Sequence, residues 1–198
     1  IKLGLRLLRD DRDFLHFNLS RALLLASALA LPYVALLGQQ QSGAELGGLG
    51  ILIVVSGVAG MVASPVWGKR SDASSRTVMR DTGLGAAACC LLGASFAWLP
   101  GGWTSTVWPY AVVYALLVIV HAGVRLGRKT YIVDMAGEER RALYVALSNT
   151  ITGALMLLAG GLVGALAQWL GTTWLLVFLA AMALAAALSA SKLPDVER

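Results

Sequence analysis

The chain has 198 residues, of which 58% are hydrophobic and 14% charged, with a formal net charge of +5 and a mean hydropathy of +0.73. Soluble domains carry about 25% charged residues, so an ordinary water-soluble fold is excluded and a membrane protein expected. The cations are not interleaved with aromatics; anionic lipid headgroups account for them, and nucleic acid is not an expected partner.

Residues 1–13 hold Lys2, Arg6, Arg9 and Arg12 among aspartates and are too charged for the apolar core of a signal peptide. They are expected to be a cytoplasmic lead-in to a fragment, since the chain starts at Ile1 without an initiator Met. Six apolar runs follow, at about 14–37, 46–67, 83–99, 107–126, 143–169 and 173–191. Each is roughly 18–25 residues, enough to cross about 30 Å of hydrocarbon at ~1.5 Å per residue. Continuous rather than alternating apolarity makes them helices, so the expected fold is an all-α membrane protein of six transmembrane helices, closed by a cytoplasmic tail at 192–198.

Helix one carries His16, Ser20 and Ser27 on one face, Asn18 and Arg21 elsewhere, and Pro32, where a kink is expected. Arg21 either snorkels to the surface or meets an anionic solute. Helix two aligns Ser56, Gly60 and Ser64, a face for close packing, and ends in "SPVWGKRSDASSRTVMRD", which concentrates Lys69, Arg70, Asp72, Arg76, Arg80 and Asp81 between two apolar runs. Helix three contains adjacent Cys89 and Cys90, a spacing that suits neither a disulfide framework nor a zinc site. No metal site is expected.

In helix four, Tyr110, Tyr114, His121, Arg125 and Arg128 fall within an arc of about 60° at ~100° per residue. Ionisable groups at membrane depth face a bundle interior or a watery cavity, which makes this stripe the first candidate for a binding site. The duller readings are an interfacial Tyr110, snorkelling arginines and a hydrogen-bonded core histidine. Helix five aligns Asn149 with Gly153, Gly160 and Gly164, predicting close helix packing and an interhelical hydrogen bond from Asn149. Every acid falls in a tail or a connection between the predicted spans, so His121 is the evident relay if protons are coupled to solute movement.

All sixteen Lys and Arg lie in the tails, at the start of helix one, or around the two-three and four-five connections. This predicts those segments and both termini on the cytoplasmic side of the plasma (inner) membrane. Trp98, Trp103, Trp108, Trp169 and Trp174 are expected as an interfacial belt at the other border, with Trp67 on the cytoplasmic one.

In the connection between helices two and three, Gly68 is followed by Asp72 and then Arg76. This resembles the loop signature of the major facilitator superfamily, although Ala73, Ser75 and Thr77 stand where that signature has a basic residue, a second glycine and another basic residue. "HAGVRLGRKTYIVDMAGEERRALYVALSNTITG" is similar to the family's junction of the fourth and fifth helices of a half. The resemblance covers essentially the whole chain and implies the carboxyl-terminal six-helix half of a permease: a secondary transporter of small solutes by alternating access. It implies two inverted three-helix repeats, 14–99 and 107–191, a missing amino-terminal half as partner, and no cofactor or catalysis. It further implies a cavity lined by the first and fourth helices (Ser20, Ser27, Tyr110, Tyr114, His121, Arg125). A cytoplasmic gate of Gly68, Asp72, Arg76, Glu138 and Arg141 is implied too, with Arg76 pairing an acid such as Glu138. Two alternatives stay open: a structural membrane subunit without transport, and an intramembrane serine protease. The second is disfavoured because Phe96 follows Ser95 where a glycine belongs, and because Ser95 and His121 differ in depth by roughly 14 Å.

Overall fold

The computed structural model describes residues 11–43 and 46–196, which contain helices and no strand. The predicted lead-in up to residue 10, Glu45 and the last two residues lie outside the described residues.

Helix α1 (Arg12–Leu23) starts at Asp11, whose carboxylate accepts the Phe14 amide at 2.9 Å, satisfying a donor that has no partner in the first turn. After a slight interruption at Leu24, α2 (Leu25–Ser42) continues the rod. It runs helical through Pro32, so the interruption falls at Leu24 and not at the proline. A left-handed Gly43 (φ 60°) closes it.

Helix α3 (Leu46–Ala73) is longer than the second predicted span and carries Gly68, Lys69, Arg70 and Asp72 within it. The expected charged loop is in fact a tight reversal at Ser74 (φ −165°, ψ 106°), whose hydroxyl caps α4 (Ser75–Ser95) by accepting the Thr77 amide at 3.2 Å. The third predicted span therefore begins eight residues early, and 96–98 form a 3-10 turn. Asp13, Asp72, Asp81 and Asp134 lie in helices, not in loops as expected. A second 3-10 turn at 103–105 leads to α5 (Trp108–Met135), with Pro109 in its first turn.

Helix α6 (Arg141–Ser191) contains one non-helical residue, Gly171 (φ 77°, ψ 162°). It folds back there. Ser148 and Ser189 both hydrogen-bond to α1, at Asn18 and Ser20, yet a straight helix would hold residues so far apart in sequence about 60 Å from each other. The arms before and after Gly171 thus run antiparallel, and near the turn Trp174 meets Trp98 edge to face at 5.7 Å.

Small residues decide which helices touch. The arm after Gly171 buries Ala180, Ala183, Ala186, Ala187 and Ala190, and α4 approaches so closely that a Cβ on Gly83 would lie 3.0 Å from Ala187 and 3.1 Å from the Ala183 carbonyl. Gly123 of α5 packs on Trp67 and Thr82. The predicted packing stripe of Gly153, Gly160 and Gly164 has nothing within 4 Å of an added Cβ, and Gly60 likewise. Within this chain those faces are open. Trp67, expected at a membrane border, is 7% exposed and donates its indole N–H to the Ile119 carbonyl at 2.7 Å. The other five tryptophans are well exposed.

Among the described residues, four helices are long and apolar enough to cross a membrane: Arg12–Ser42, Gly50–Ala73, Trp108–Met135 and the folded-back Arg141–Ser191. Helix α4, with Arg76, Arg80 and Asp81 in its first two turns, is not among them.

Candidate functional site

Three contacts fix how the rod α1–α2 lies against α5. Phe17 stacks on Tyr131 at 5.2 Å, Ser27 Oγ meets His121 Nδ1 at 3.1 Å, and Gly38 abuts the Tyr110 ring. Each ten- or eleven-residue step along one rod is matched by an equal step back along the other, so the two run antiparallel in constant register.

This register places polar groups inside otherwise apolar helices. Ser27 gives its proton to the Leu24 carbonyl at 2.9 Å, so His121 Nδ1–H is the donor in the Ser27–His121 bond and the lone pair is on Nε2. One turn to two turns along α1, Arg21 donates to Ser148 Oγ and Asn149 Oδ1, each at 2.7 Å. Ser148 in turn donates to Asn18 Oδ1 at 2.7 Å, and the Asn18 amide donates to the Phe14 carbonyl at 2.8 Å. The interhelical bond expected of Asn149 is thus formed, with Arg21 as its donor.

The register also puts Arg128 opposite Arg21, and the Arg128 guanidinium interacts electrostatically with those of Arg21 and Arg125. Arg128 and Arg125 do so with His121 as well. Arg125 is exposed and, with Lys129, Trp67, Ser64 and Gly60, lines a groove of about 370 Å³ between α3 and α5.

Other expected cavity residues are placed differently. Ser20 is fully buried and bonded to Ser189 Oγ at 2.7 Å, with His16 Nε2 at 3.1 Å from the same hydroxyl. Both therefore face the far arm of α6 and not His121. Tyr110 is 1% exposed, with Phe96 edge-on at 5.6 Å, which makes it a core residue at the tryptophan-rich end. Tyr114 is half-buried against the same core.

At the opposite end, Asp72, Glu138 and Arg141 share an open depression of about 660 Å³ with Ser71 and Thr130, which are joined at 2.9 Å across α3 and α5. Gly68 lies one turn before Asp72. Arg76 does not reach Glu138. It donates to the Leu193 carbonyl at 3.1 Å and pairs with Asp195 at 3.4 Å, because the start of α4 faces the C-terminal tail.

Residues 19–198 match the model of the Major Facilitator Superfamily. The chain belongs to that superfamily. No curated protein matches it. Superfamily members are secondary transporters embedded in membranes by several helices, not enzymes, and this chain is accordingly a multi-pass membrane protein of that kind. The residues of a serine protease are not assembled either, since Ser95 donates to the Leu92 carbonyl at 2.7 Å while His121 is engaged with Ser27.

Three polar residues escaped the sequence reading. Ser148 and Ser189 each anchor α1, and Tyr144 donates to the Asp11 carboxylate at 2.6 Å, tying the start of α1 to α6. Ser148 could have been found, because it adjoins Asn149 in a run that is otherwise apolar.

Proposed function

We propose that the chain is one six-span half of a carrier that moves small solutes by alternating access. Its two inverted three-helix repeats are 14–99 and 107–191, with α4 and both arms of α6 counted as spans and a six-helix half of the same protein as partner. Both ends and the Asp72 reversal lie on the cytoplasmic side of the plasma (inner) membrane, in keeping with the one-sided cations.

The observation that carries this reading is the polar group on α1, α2, α5 and α6: Arg21, Ser27, His121, Ser148 and Asn149. Polar and charged side chains at such depth are costly unless they face a watery path. On this reading Ser27, His121 and Arg125 line the cavity, with Tyr114 above them, and the open glycine faces of α3 and α6 turn toward the other half. His121, whose Nδ1 is engaged with Ser27, is the candidate relay for coupled protons.

Asp72, Gly68, Glu138 and Arg141 make the cytoplasmic gate, a set of polar contacts that holds in one conformation and parts in the other. Arg76 contributes by fastening α4 to the tail. The test is solute counterflow in proteoliposomes holding both halves, screened over labelled small solutes. Flux is expected, and Asp72→Asn should slow it at least about fivefold while membrane insertion is unchanged. Unchanged flux in the variant removes the gate, and no flux for any solute removes the carrier.

A further inference from the structure

Among the described cations, Arg21 and Arg128 each combine a half-buried side chain with a donor that meets no acceptor. Arg70, Arg76 and Arg80 each meet an aspartate, whereas Arg21, Arg125 and Arg128 form no ion pair among the described residues. Arg21 has neutral partners, Ser148 and Asn149, and its Nε–H is buried without an acceptor. The buried Nε–H of Arg128 also lacks one.

The constant register sets these groups at one level. Phe17–Tyr131 and Ser27–His121 bracket the stretch that holds Arg21 on one rod and Arg125 and Arg128 on the other. The electrostatic interaction of the Arg128 guanidinium with those of Arg21 and Arg125 agrees with that placement. Arg21 and Arg128, like charges each with a buried N–H that has no acceptor, call for a counter-ion, which the exposed Arg125 beside them can share. Ser148 and Asn149 take one N–H from each terminal nitrogen of Arg21, which fixes the plane of the fork and leaves its remaining donors unused.

We propose that Arg21, Arg125 and Arg128 form a receptor for a small oxyanion, a carboxylate or phosphate ester, that reaches them through the groove beside Arg125. This rests on the carrier reading and names the class of its solute. Planar guanidinium forks match the paired oxygens of carboxylate and phosphate, which a neutral or cationic solute lacks. A lipid headgroup carries the same phosphate chemistry, but depth favours a dissolved anion. Arg21 is ten residues, about 15 Å, from the Asp11 cap, and Arg128 is seven residues, about 10 Å, from the end of α5. His121, on the far side of Arg125 from the helix end, would meet the distal part of a bound molecule.

The experiment is equilibrium binding of radiolabelled succinate and inorganic phosphate to the purified chain in phosphatidylcholine nanodiscs, in about 0.15 M KCl to screen exposed cations. Saturable binding of at least one is expected, weakened at least about tenfold by Arg125→Gln and by Arg128→Gln but not by Lys192→Gln. Arg125 is exposed, so its variant is expected to fold even if that of Arg128 does not. On the unaltered chain, the bound anion should slow modification of Arg128 by phenylglyoxal, read by peptide mass spectrometry. Absence of binding for both probes, unweakened binding in both glutamine variants, or no protection of Arg128 overturns the proposal. Displacement of the probe by phosphatidylglycerol in the nanodisc also overturns it and assigns the cluster to lipid. Flux of glycerol or putrescine by the two-half protein, with neither anion bound, sinks this proposal and leaves the carrier standing; anion binding without flux of any solute does the reverse.

Discussion

Gly123→Ala tests the claim that Gly123 on α5, and not the glycine face of Gly153, Gly160 and Gly164 on α6, sets helix spacing within this chain. A Cβ at position 123 would lie 2.6 Å from two Trp67 ring atoms and 2.6 Å from Thr82 Cγ2. Neither neighbour is free to move. The indole is pinned by its bond to the Ile119 carbonyl, and Thr82 Oγ1 is held by the Val78 carbonyl, both at 2.7 Å. Helix α5 must therefore shift away from α3 and α4, an overpacking cost of about 3 kcal/mol, offset by about 1 kcal/mol from replacing a glycine in a helix. The net is about 2 kcal/mol of destabilisation. Gly160→Ala meets nothing within 4 Å and keeps only the favourable part, so it should match or slightly exceed the parent. The assay is reversible SDS-induced unfolding of the purified chain in mixed micelles, followed by far-ultraviolet circular dichroism and tryptophan fluorescence. A Gly123→Ala chain no less stable than the Gly160→Ala chain would refute the reasoning.

Three further outcomes are expected in the same unfolding assay. Gly171→Ala forces a side chain into a backbone region that essentially only glycine adopts (φ 77°, ψ 162°), and should cost about 1–3 kcal/mol. Ser148→Ala removes an acceptor from Arg21 and a donor from the buried Asn18 carbonyl, and should cost about 1–3 kcal/mol, more than loss of the exposed Asn149. Asp195→Asn loosens an ion pair whose side chains are 34% and 59% exposed, so the change should stay under about 1 kcal/mol and shrink further in high salt.

The membrane character of the chain was legible because apolar length is a direct physical requirement, and Gly171 and the tryptophan cluster fall at the ends of the predicted runs, whereas Ser74 turns the chain midway between two of them. Which neighbour covers a helix face was not legible. Ser20 and Ser27 share a face at ~100° per residue, yet one meets Ser189 and the other His121, since neighbouring helices cross that face at different heights. The glycines of α6 and of α5 are equally small; only the structure tells that Gly123 faces Trp67 while Gly160 faces open space. The resemblance pairs Arg76 with an acid such as Glu138 on a neighbouring connection, but Gly68 to Ala73 is helical and the start of α4 faces Asp195 instead. His121 stood out because it is a lone ionisable group deep in an apolar run. Ser148 did not, because serine is common in such runs and its value comes from partners 130 residues away in sequence.

The most direct measurement of the account is thiol labelling from either side of the membrane. With buried Cys89 and Cys90 replaced by alanine, single cysteines go in at Ser105, in the tryptophan-rich connection, and at Ala73, beside the α3–α4 reversal; both positions are exposed. The account predicts that a membrane-impermeant maleimide added to intact cells labels only Ser105→Cys, and that Ala73→Cys reacts only once the membrane is opened. Labelling of both from the same side would contradict it.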